Sequence, residues 1–234
     1  LAVVNIDSEA ACRHLKEHNI RATTYGIESA DADYRASEVC YSQLETTFNL
    51  KHGDRVDEGF VAHILGRGNI LNITAALAVA EHLGVTVAEC RRAVKQIEQV
   101  EHRLSMRCGG GVTILDDAYN SNPTGARMAL EVLHDFATEG KKYVVTPGFV
   151  EMGAKQYDNN RLFGSDIAHA NPDGVFVVNE VNREAITTGL SVGGYDSAKV
   201  ATVASFQEAM AALQPQLKAG DVVLYENDLP DSFK

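Results

Sequence analysis

The 234-residue sequence predicts an α/β protein with a doubly wound, Rossmann-like parallel sheet in its C-terminal part. From about residue 111, short apolar strands alternate strictly with helices, which is typical of right-handed crossovers between parallel strands. Before that point, three stretches have the polar–apolar alternation of an antiparallel patch. A glycine-rich segment, VEHRLSMRCGGG, separates the two patterns. We therefore expect two domains, over residues 1–102 and 103–234.

The first domain opens with a strand in LAVVNI, and Asp7 and Ser8 are suitable N-caps for a helix over residues 9–19. The strand RATTYGI comes next. The alternating stretches that follow it are ADYRASEVCYS, LETTFNLKHG and RVDEGFVAHIL, and the turn KHGD predicts a hairpin between the last two. Two helices complete the domain, ILNITAALAVAEHLG with Gly84 as its C′ residue and TVAECRRAVKQIEQV with Thr86 as its cap.

In the second domain, the predicted strands are VTILDD, KYVVTPG, GVFVVN, KVATV and DVVLYEN. The predicted helices between them are TGARMALEVLHDFA, QYDNNRLFGSDIAHA, NREAITTGL and SFQEAMAALQPQL. The three glycines at 109–111 allow a flexible hinge between the domains, since glycine adopts positive φ freely. The alternative is that they form an exposed loop or hairpin tip leading into VTILDD.

Composition excludes several classes of function. A net charge of −11 disfavours a nucleic-acid partner, because phosphate backbones repel an acidic surface. No apolar run approaches the roughly 20 residues that span a bilayer, and the chain begins without a signal-peptide pattern. The four cysteines form no CxxC pair, which indicates reduced thiols in a cytoplasmic protein, with Cys40 and Cys90 as core residues. The histidines show no metal-ligand spacing, and we assign no metal-binding residues.

The stretch TILDDAYNSNP places polar residues at the end of a predicted buried strand. Ligands of open parallel sheets bind beyond the carboxyl ends of the strands, where Asp116 and Asp117 lie. An aspartate there can accept hydrogen bonds from sugar hydroxyls, hold a metal-bound water, or cap the following helix. Asx-turn chemistry alone also explains the YNSNP segment.

Three further candidates lie outside that stretch. Asn69 and Asn72 flank a helix start, where an amide suits the edge of a purine base but is equally suited to an N-cap. Arg103 lies at the domain junction, where its cation could contact a phosphate or form a surface salt bridge. The glycines of TPGFVEMG suit a tight turn.

Several of these motifs together resemble one family, the Mur ligases of cell-wall synthesis with their folylpolyglutamate synthase relatives. AVVNIDSE is similar to a strand and acidic turn midway through that family's central ATPase domain. GRGNILNITAALAVAEHLGV resembles its G-x-H-N-x-x-N-x-x-A-A helix, EHRLSM its hinge motif, and DDAYNSNP is the most specific match. The resemblance is greatest to the MurF-like branch, which joins D-alanyl-D-alanine to a UDP-muramoyl peptide.

The resemblance implies an ATP-dependent acid–amino-acid ligase that acts through an acyl phosphate, with ATP and Mg²⁺ as cofactors. Its substrates would be a UDP-muramoyl-peptide-like molecule and an amino acid or dipeptide. Asn69 and Asn72 would lie near the adenine. Arg103 near the phosphates and Asp117 on the ribose hydroxyls would be the catalytic residues of this chain. The residues implied to form the wall facing the incoming amine are Tyr119, Asn120 and Asn122.

The sequence departs from the family pattern in three respects. Gly68 replaces the usual histidine. The C-terminal Lys-Gly-Ser-Arg segment reads YENDLPD, which makes Glu226 and Asp228 candidates for binding an amine of the substrate or a metal. The P-loop, with most magnesium ligands, would precede residue 1, so we expect the C-terminal half of a ligase that is inactive alone. A standalone, non-catalytic nucleotide- or partner-binding module is the alternative.

Overall fold

The computed structural model describes residues 1–41, 45–119 and 121–229. The chain forms two compact units, Leu1–Glu98 and Gln99–Lys234. Residues 99–102, which our expected boundary assigns to the first domain, therefore belong to the second unit.

The first unit contains a five-stranded sheet in the order β1-β2-β3-β4-β5. Its strands are β1 (Val3–Asn5), β2 (Thr23–Gly26), β3 (Tyr34–Tyr41), β4 (Thr46–His52) and β5 (Arg55–Ala62). Strands β1 to β3 are parallel, and β3 to β5 are antiparallel, so the predicted antiparallel patch and its hairpin are confirmed. The helices of this unit are α1 (Glu9–Glu17), α2 (Arg67–His82) and α3 (Val87–Lys95).

Local capping explains where these helices begin. Ser8 caps α1 by accepting the Ala11 N–H, and Thr86 caps α3, as the sequence predicts. Thr86 also forms a capping box with Glu89. Asp7 does not cap α1. Its carboxylate instead accepts the backbone N–H groups of Ile27 and Ser29, at 2.7 and 2.9 Å, and so joins the ends of β1 and β2.

The core of the first unit lies between its sheet and α2 and α3. Phe48 and Phe60 stack at a centroid distance of 5.1 Å and pack with Ile70 and Leu77 of α2. Cys90 belongs to this core, as expected, but Cys40 is exposed. The prediction for Cys40 is wrong because β3 carries a bulge between Ser37 and Cys40, which changes the alternation of its side chains.

The second unit contains a six-stranded sheet in the order β10-β9-β8-β11-β7-β6. Its strands are β6 (Ser105–Gly109), β7 (Val112–Asp117), β8 (Lys142–Thr146), β9 (Gly174–Val178), β10 (Val200–Val203) and β11 (Val222–Glu226). Its helices are α4 (Pro123–Asp135), α5 (Gln156–Ala170), α6 (Arg183–Val192) and α7 (Phe206–Leu213). All strands except β6 are parallel, which confirms the predicted doubly wound sheet.

Strand β11 takes the central position of this sheet. The chain steps from β7 to β8, β9 and β10 toward one edge, and then returns through α7 to insert β11 between β8 and β7. Because right-handed crossovers in opposite directions cover opposite faces, α4, α5 and α6 pack on one face and α7 on the other. Ala209 and Leu213 of α7 pack on Tyr143 and Phe176 in the core of that second face.

The glycine-rich segment is a β-hairpin. Strand β6 pairs antiparallel with β7, and Gly110 and Gly111 form the two-residue turn with φ of 61° and 82°. Our hinge interpretation of residues 109–111 is therefore wrong, since they lie inside the second unit, and the hairpin-tip alternative is confirmed.

Within the described ranges, no helix is both long enough and apolar enough to cross a membrane.

Candidate functional site

The candidate site lies at the edge of the second sheet where the parallel strands end. Strand β7 ends at Asp117 and β11 at Glu226, while antiparallel β6 begins at this edge with Ser105. The loop that precedes β6 therefore lies beside the loop that follows β7. The EHRLS and DDAY motifs, separated along the chain, meet here.

Asp116 joins the two motifs from a buried position. Its side chain is only 4% exposed. Its Oδ2 contacts His102 Nδ1 at 3.0 Å and pairs with the Arg107 guanidinium. Its Oδ1 accepts the Ala118 N–H at 3.3 Å, a local Asx-type contact. These contacts make Asp116 an organiser of the two loops.

Asp117 holds the EHRLS loop in an uncommon conformation. Its Oδ1 accepts the Leu104 N–H at 2.8 Å, and the Tyr119 N–H donates to the His102 carbonyl at 3.1 Å. His102 and Leu104 have φ of 59° and 50°, in the left-handed region that costs an L-residue about 1–2 kcal/mol. Such backbone strain is often found at functional sites and needs surrounding contacts to maintain it.

Arg103 lies between the two left-handed residues. Its guanidinium carbon is 4.9 Å from the ring centroid of Tyr119, a cation–π contact, and Tyr119 is 64% exposed. Across residues 1–41, 45–119 and 121–229, the ion pairs include none to Arg103. Within these residues its recorded side-chain contact is the Tyr119 ring, and its charge also acts on Asp117.

Two carboxyl groups lie side by side where β7 and β11 end. Asp117 and Glu226 are partners in the parallel ladder, and Glu226 is completely buried. The Ser121 hydroxyl donates to Glu226 Oε1. Burial and the nearby Asp116 charge raise the pKa of Asp117. The hydrogen bond from the Leu104 N–H and the charge of Arg103 lower it. Burial raises the pKa of Glu226 well above its usual value, and the Asp117 charge adds to that shift.

Asn227 connects three strand ends, a role that the sequence analysis missed. It has φ of 65°, its Oδ1 accepts the Ser121 N–H at 3.2 Å, and its Nδ2 donates to the Gly148 carbonyl at 2.6 Å. Its own N–H donates to the Asp117 carbonyl at 3.2 Å. An asparagine directly after a predicted strand was the available signal, because asparagine tolerates the left-handed conformation.

Buried amides fix the TPGFVEMG loop that Asn227 contacts. Asn160 accepts the Phe149 N–H at 2.8 Å and donates to the Phe149 carbonyl at 2.9 Å. Asn182 donates to the carbonyls of Pro147 and Phe149, both at 2.9 Å. The glycines of this loop have positive φ, 73° at Gly148 and 54° at Gly153.

Two clefts adjoin these loops. One, of about 670 Å³, has an apolar wall that includes Val178, Phe206 and Tyr225. The other, of about 520 Å³, is lined by polar side chains that include Tyr119 and Ser121. Asp228 lines both clefts and is exposed, so its carboxylate can contact a cationic group in either.

The remaining residues expected to bind the substrate differ in accessibility. Asn122 is the N-cap of α4, and its Oδ1 accepts the N–H groups of Thr124 and Gly125 at 3.1 and 3.0 Å. The buried Glu226 lines neither cleft. Asn120 lies outside the described residues.

In the first unit, Asn69 and Asn72 lie within α2. The helix begins at Arg67 with Gly66 as N-cap, so the N-cap alternative is wrong for both residues. Asn69 Nδ2 donates to the Leu65 carbonyl at 2.7 Å, and Asn72 is exposed. Gly68, where the family pattern has histidine, is half-buried in the first turn of this helix.

The described part of the chain brings together no group of three or more His, Cys, Asp or Glu side chains suited to a metal ion.

Comparison with known proteins gives two domain matches. Residues 1–80 match the Mur ligase middle domain, and residues 102–225 match the domain described as "Mur ligase, glutamate ligase domain". The UDP-N-acetylmuramoyl-tripeptide–D-alanyl-D-alanine ligase of Bacillus subtilis is 23% identical over 89% of this chain and 45% of its own length. The UDP-N-acetylmuramate–L-alanine ligase of Ruegeria pomeroyi is 29% identical over 92% and 49%, respectively.

Solved structures share the fold over most of the chain. MurF ligase from Thermotoga maritima, in complex with ADP, superposes with a TM-score of 0.77 at 24% identity, over 97% of this chain and 50% of that one. A MurF structure from Acinetobacter baumannii gives 0.79 at 20% identity, over 97% and 48%. The chain thus spans about half the length of the relatives it matches. On these domain matches, which together cover most of its residues, the chain belongs to the Mur ligase family.

Proposed function

We propose that this chain is part of a cytoplasmic, ATP-dependent ligase that forms an amide bond in a peptidoglycan precursor. In the proposed reaction, ATP would transfer its γ-phosphoryl group to a carboxylate, which gives an acyl phosphate and ADP. An amine would then attack the acyl carbon, form the amide bond and displace phosphate. The proposed substrates are a UDP-muramoyl-peptide-like molecule and an amino acid or dipeptide. Membership of the Mur ligase family and the names of the relatives support this reaction class.

The observation that carries the proposal is the pairing of an available cation with a partly buried carboxylate at one sheet edge. Arg103 has no ion-pair partner in the described ranges, and Asp117 holds the loop that presents it. An arginine guanidinium suits a phosphate, and a carboxylate suits vicinal ribose hydroxyls. A nucleoside triphosphate combines both groups, and bound ATP with Mg²⁺ would supply the phosphoryl group.

Asp117 retains capacity for such a contact. A carboxylate offers about four acceptor positions. The Leu104 N–H takes one position on Oδ1, and the side chain remains partly exposed. In the first unit, the exposed amide of Asn72, and that of Asn69 beside it, can donate and accept at the edge of a purine ring. We propose these two residues for the adenine.

For the amine substrate, we propose the polar cleft beside Tyr119. Asp228 is exposed there and can bind an ammonium group before deprotonation, while the Tyr119 ring forms part of the wall. Asn122, the N-cap of α4, and Asn120, which lies outside the described residues, stay in the proposal as neighbours of the amine. We propose that Glu226, which has no surface on the cleft, acts through Asp117. Residues 1–102 and 103–234 would be the parts of the central and C-terminal domains that this chain contributes.

Asp117→Ala and Asp116→Ala in the intact ligase test the proposal. Loss of a charged hydrogen bond costs about 1.5–3 kcal/mol, so we expect Asp117→Ala to raise the KM for ATP by about 10- to 100-fold. Asp116→Ala should mainly lower the melting temperature, because Asp116 organises the loops. Equal, small effects of both changes on the KM for ATP, with a lowered melting temperature in both variants, would contradict the proposal and indicate that the two aspartates only cap the turn.

A further inference from the structure

The ends of β7 and β11 bring two acidic side chains together in the interior of the second unit. Asp117 and Glu226 form the last pair of the ladder, and β11 is covered by β8 on its other side. Glu226 has no exposed surface. A carboxyl group in such a position must find its hydrogen bonds within the protein or remain neutral.

The hydrogen bonds available to Glu226 are insufficient for an ionised carboxylate. The Ser121 hydroxyl donates to Oε1. Oε2 is buried, and no N–H or O–H of the described residues donates to it. The polar group that interacts with this carboxyl from β7 is the Asp117 carboxylate, which is itself an acceptor. Two ionised carboxylates would repel each other here and leave Oε2 without a hydrogen bond.

We propose that Glu226 and Asp117 share a single proton, which Glu226 carries on Oε2 and donates to the Asp117 carboxylate. The pair then holds one proton and one negative charge, and Oε2 gains the hydrogen bond that the rest of the described structure does not provide. The Leu104 N–H on Asp117 Oδ1 favours keeping the charge on Asp117. The pair resembles other carboxyl dyads, in which two acids in one site do not both ionise.

The charges around the pair favour the same distribution. Arg103 stabilises the charged form of Asp117, and Asp116 opposes it. The Asp116 carboxylate is itself paired with the Arg107 guanidinium, and its Oδ2 also contacts His102 Nδ1. Burial and the Asp117 charge raise the pKa of Glu226, whereas the Ser121 hydroxyl lowers it. Among the described residues, the positive charge of Arg103 therefore acts on Asp117, and no positive charge acts on Glu226.

Glu226 would then be a positioning residue. A neutral Glu226 fixes the orientation of Asp117 and keeps its charge toward the open edge of the site. This consequence for ligand binding rests on the proposed function of Asp117, whereas the shared proton does not. The two ideas can therefore fail separately.

Carbon NMR of the chain with ¹³C-labelled glutamate side chains tests the shared proton directly. Glu226→Gln assigns the Glu226 signal by removing it. We expect Glu226 to remain protonated at a pH at which the exposed glutamates have ionised. Asp117→Asn should shift its titration to lower pH, because a charge is removed, and Ser121→Ala should shift it to higher pH, because a donor is lost.

The result that would overturn the proposal is a Glu226 titration within the range of the exposed glutamates that Asp117→Asn does not shift. Should Glu226→Gln not fold, the displacement of the same signal in Ser121→Ala assigns it, and the Asp117→Asn titration still decides. Neither measurement depends on ATP. A confirmed shared proton combined with an unchanged KM for ATP in Asp117→Ala would reject the proposed role of Asp117 alone.

Unfolding experiments provide a second, independent readout. Because the folded pKa of Glu226 is raised, the native state keeps a proton that the unfolded chain loses. The stabilisation from this group is complete below the unfolded pKa and is lost as the pH rises through the folded pKa.

Glu226→Gln keeps a hydrogen-bond donor but cannot ionise, so we expect its free energy of unfolding not to fall in this pH range. Glu184→Gln, on the exposed face of α6, is the matched control, and its free energy of unfolding should fall with pH as in the parent chain. An identical pH slope in Glu226→Gln and the parent chain would contradict the proposal.

Discussion

Gly148 occupies a position in the Pro147–Phe149 loop where a side chain does not fit. Its φ is 73°, and an added Cβ would lie 2.2 Å from Asn160 Oδ1 and 2.8 Å from Ile186 Cδ1. Asn160 cannot simply move away, because its Oδ1 accepts the Phe149 N–H and its Nδ2 donates to two carbonyls. The left-handed backbone and the close contact therefore both require glycine at this position.

We predict that Gly148→Ala lowers the free energy of unfolding by about 2–5 kcal/mol, from backbone strain of about 1–2 and overpacking of about 1–3 kcal/mol. Gly153→Ala is the matched control, since Gly153 has φ of 54° but nothing within 4 Å of an added Cβ. It should lose only about 1–2 kcal/mol. Denaturant titration of both variants measures the difference. Equal losses would mean that backbone conformation alone selects glycine in this loop.

Individual site residues could be predicted where the signal is local in sequence. Asp116 and Asp117 stand in one motif at a strand end, and the structure brings both to the expected edge. The burial of Glu226 and the hydrogen bonds of Asn227 could not be predicted from the local sequence. Their partners Ser121 and Gly148 are 105 and 79 residues away, and these contacts exist only because β11 inserts between β7 and β8.

The insertion of β11 also determines how the loops at this edge are held together. Asn227 bonds to the loop after β7 through Ser121 and to the loop after β8 through Gly148. One side chain at the end of the central strand thus braces two neighbouring loops. Strand periodicity predicted β11 itself, but its place in the sheet depends on long-range pairing that periodicity does not encode.

We predict that Asn227→Ala destabilises the second unit by about 2–5 kcal/mol. Two hydrogen bonds contribute about 0.5–1.5 kcal/mol each, and the left-handed backbone adds about 1–2 for alanine. Asn227→Gly removes the same hydrogen bonds without the backbone strain, so it should lose less. In both variants, amide hydrogen exchange at Ser121 should accelerate, because its N–H loses the Asn227 acceptor. Unchanged exchange at Ser121 would show that this bond does not brace the loop.

Strand β6 illustrates a different limit of sequence-based inference. SMRCG has little of the apolar alternation that marks a half-buried strand, and Arg107 to Gly109 are exposed. The segment becomes a strand because the Gly110–Gly111 turn returns the chain beside β7. The usable signal was the pair of successive glycines, which is typical of a two-residue hairpin turn. The hairpin-tip alternative relied on these glycines, and the structure confirms it.

The molecule as a whole combines two sheets that have separate apolar cores. The first unit builds its core around Phe48 and Phe60 on an antiparallel patch, and the second builds one around Tyr143 and Phe176 on parallel strands. The change of pattern along the sequence predicted these two architectures. Alternating strands and helices differ from successive strands in the spacing of their apolar residues. Neither unit contains the G-x-x-x-x-G-K-[ST] motif, since it occurs nowhere in the 234 residues.

We therefore predict that the 234-residue chain does not hydrolyse ATP by itself. Phosphoryl transfer depends on positioning and charge neutralisation, which a P-loop supplies through backbone N–H groups and a lysine on the β- and γ-phosphates. Arg103 is exposed and can contribute one positive charge, but a single cation does not orient a triphosphate for in-line attack. Phosphate release with ATP and Mg²⁺ is the measurement, with heat-denatured chain as the background and the intact ligase as the positive control. Turnover by the chain above that background would contradict the prediction, because it would require a phosphate-binding cradle built from these residues alone.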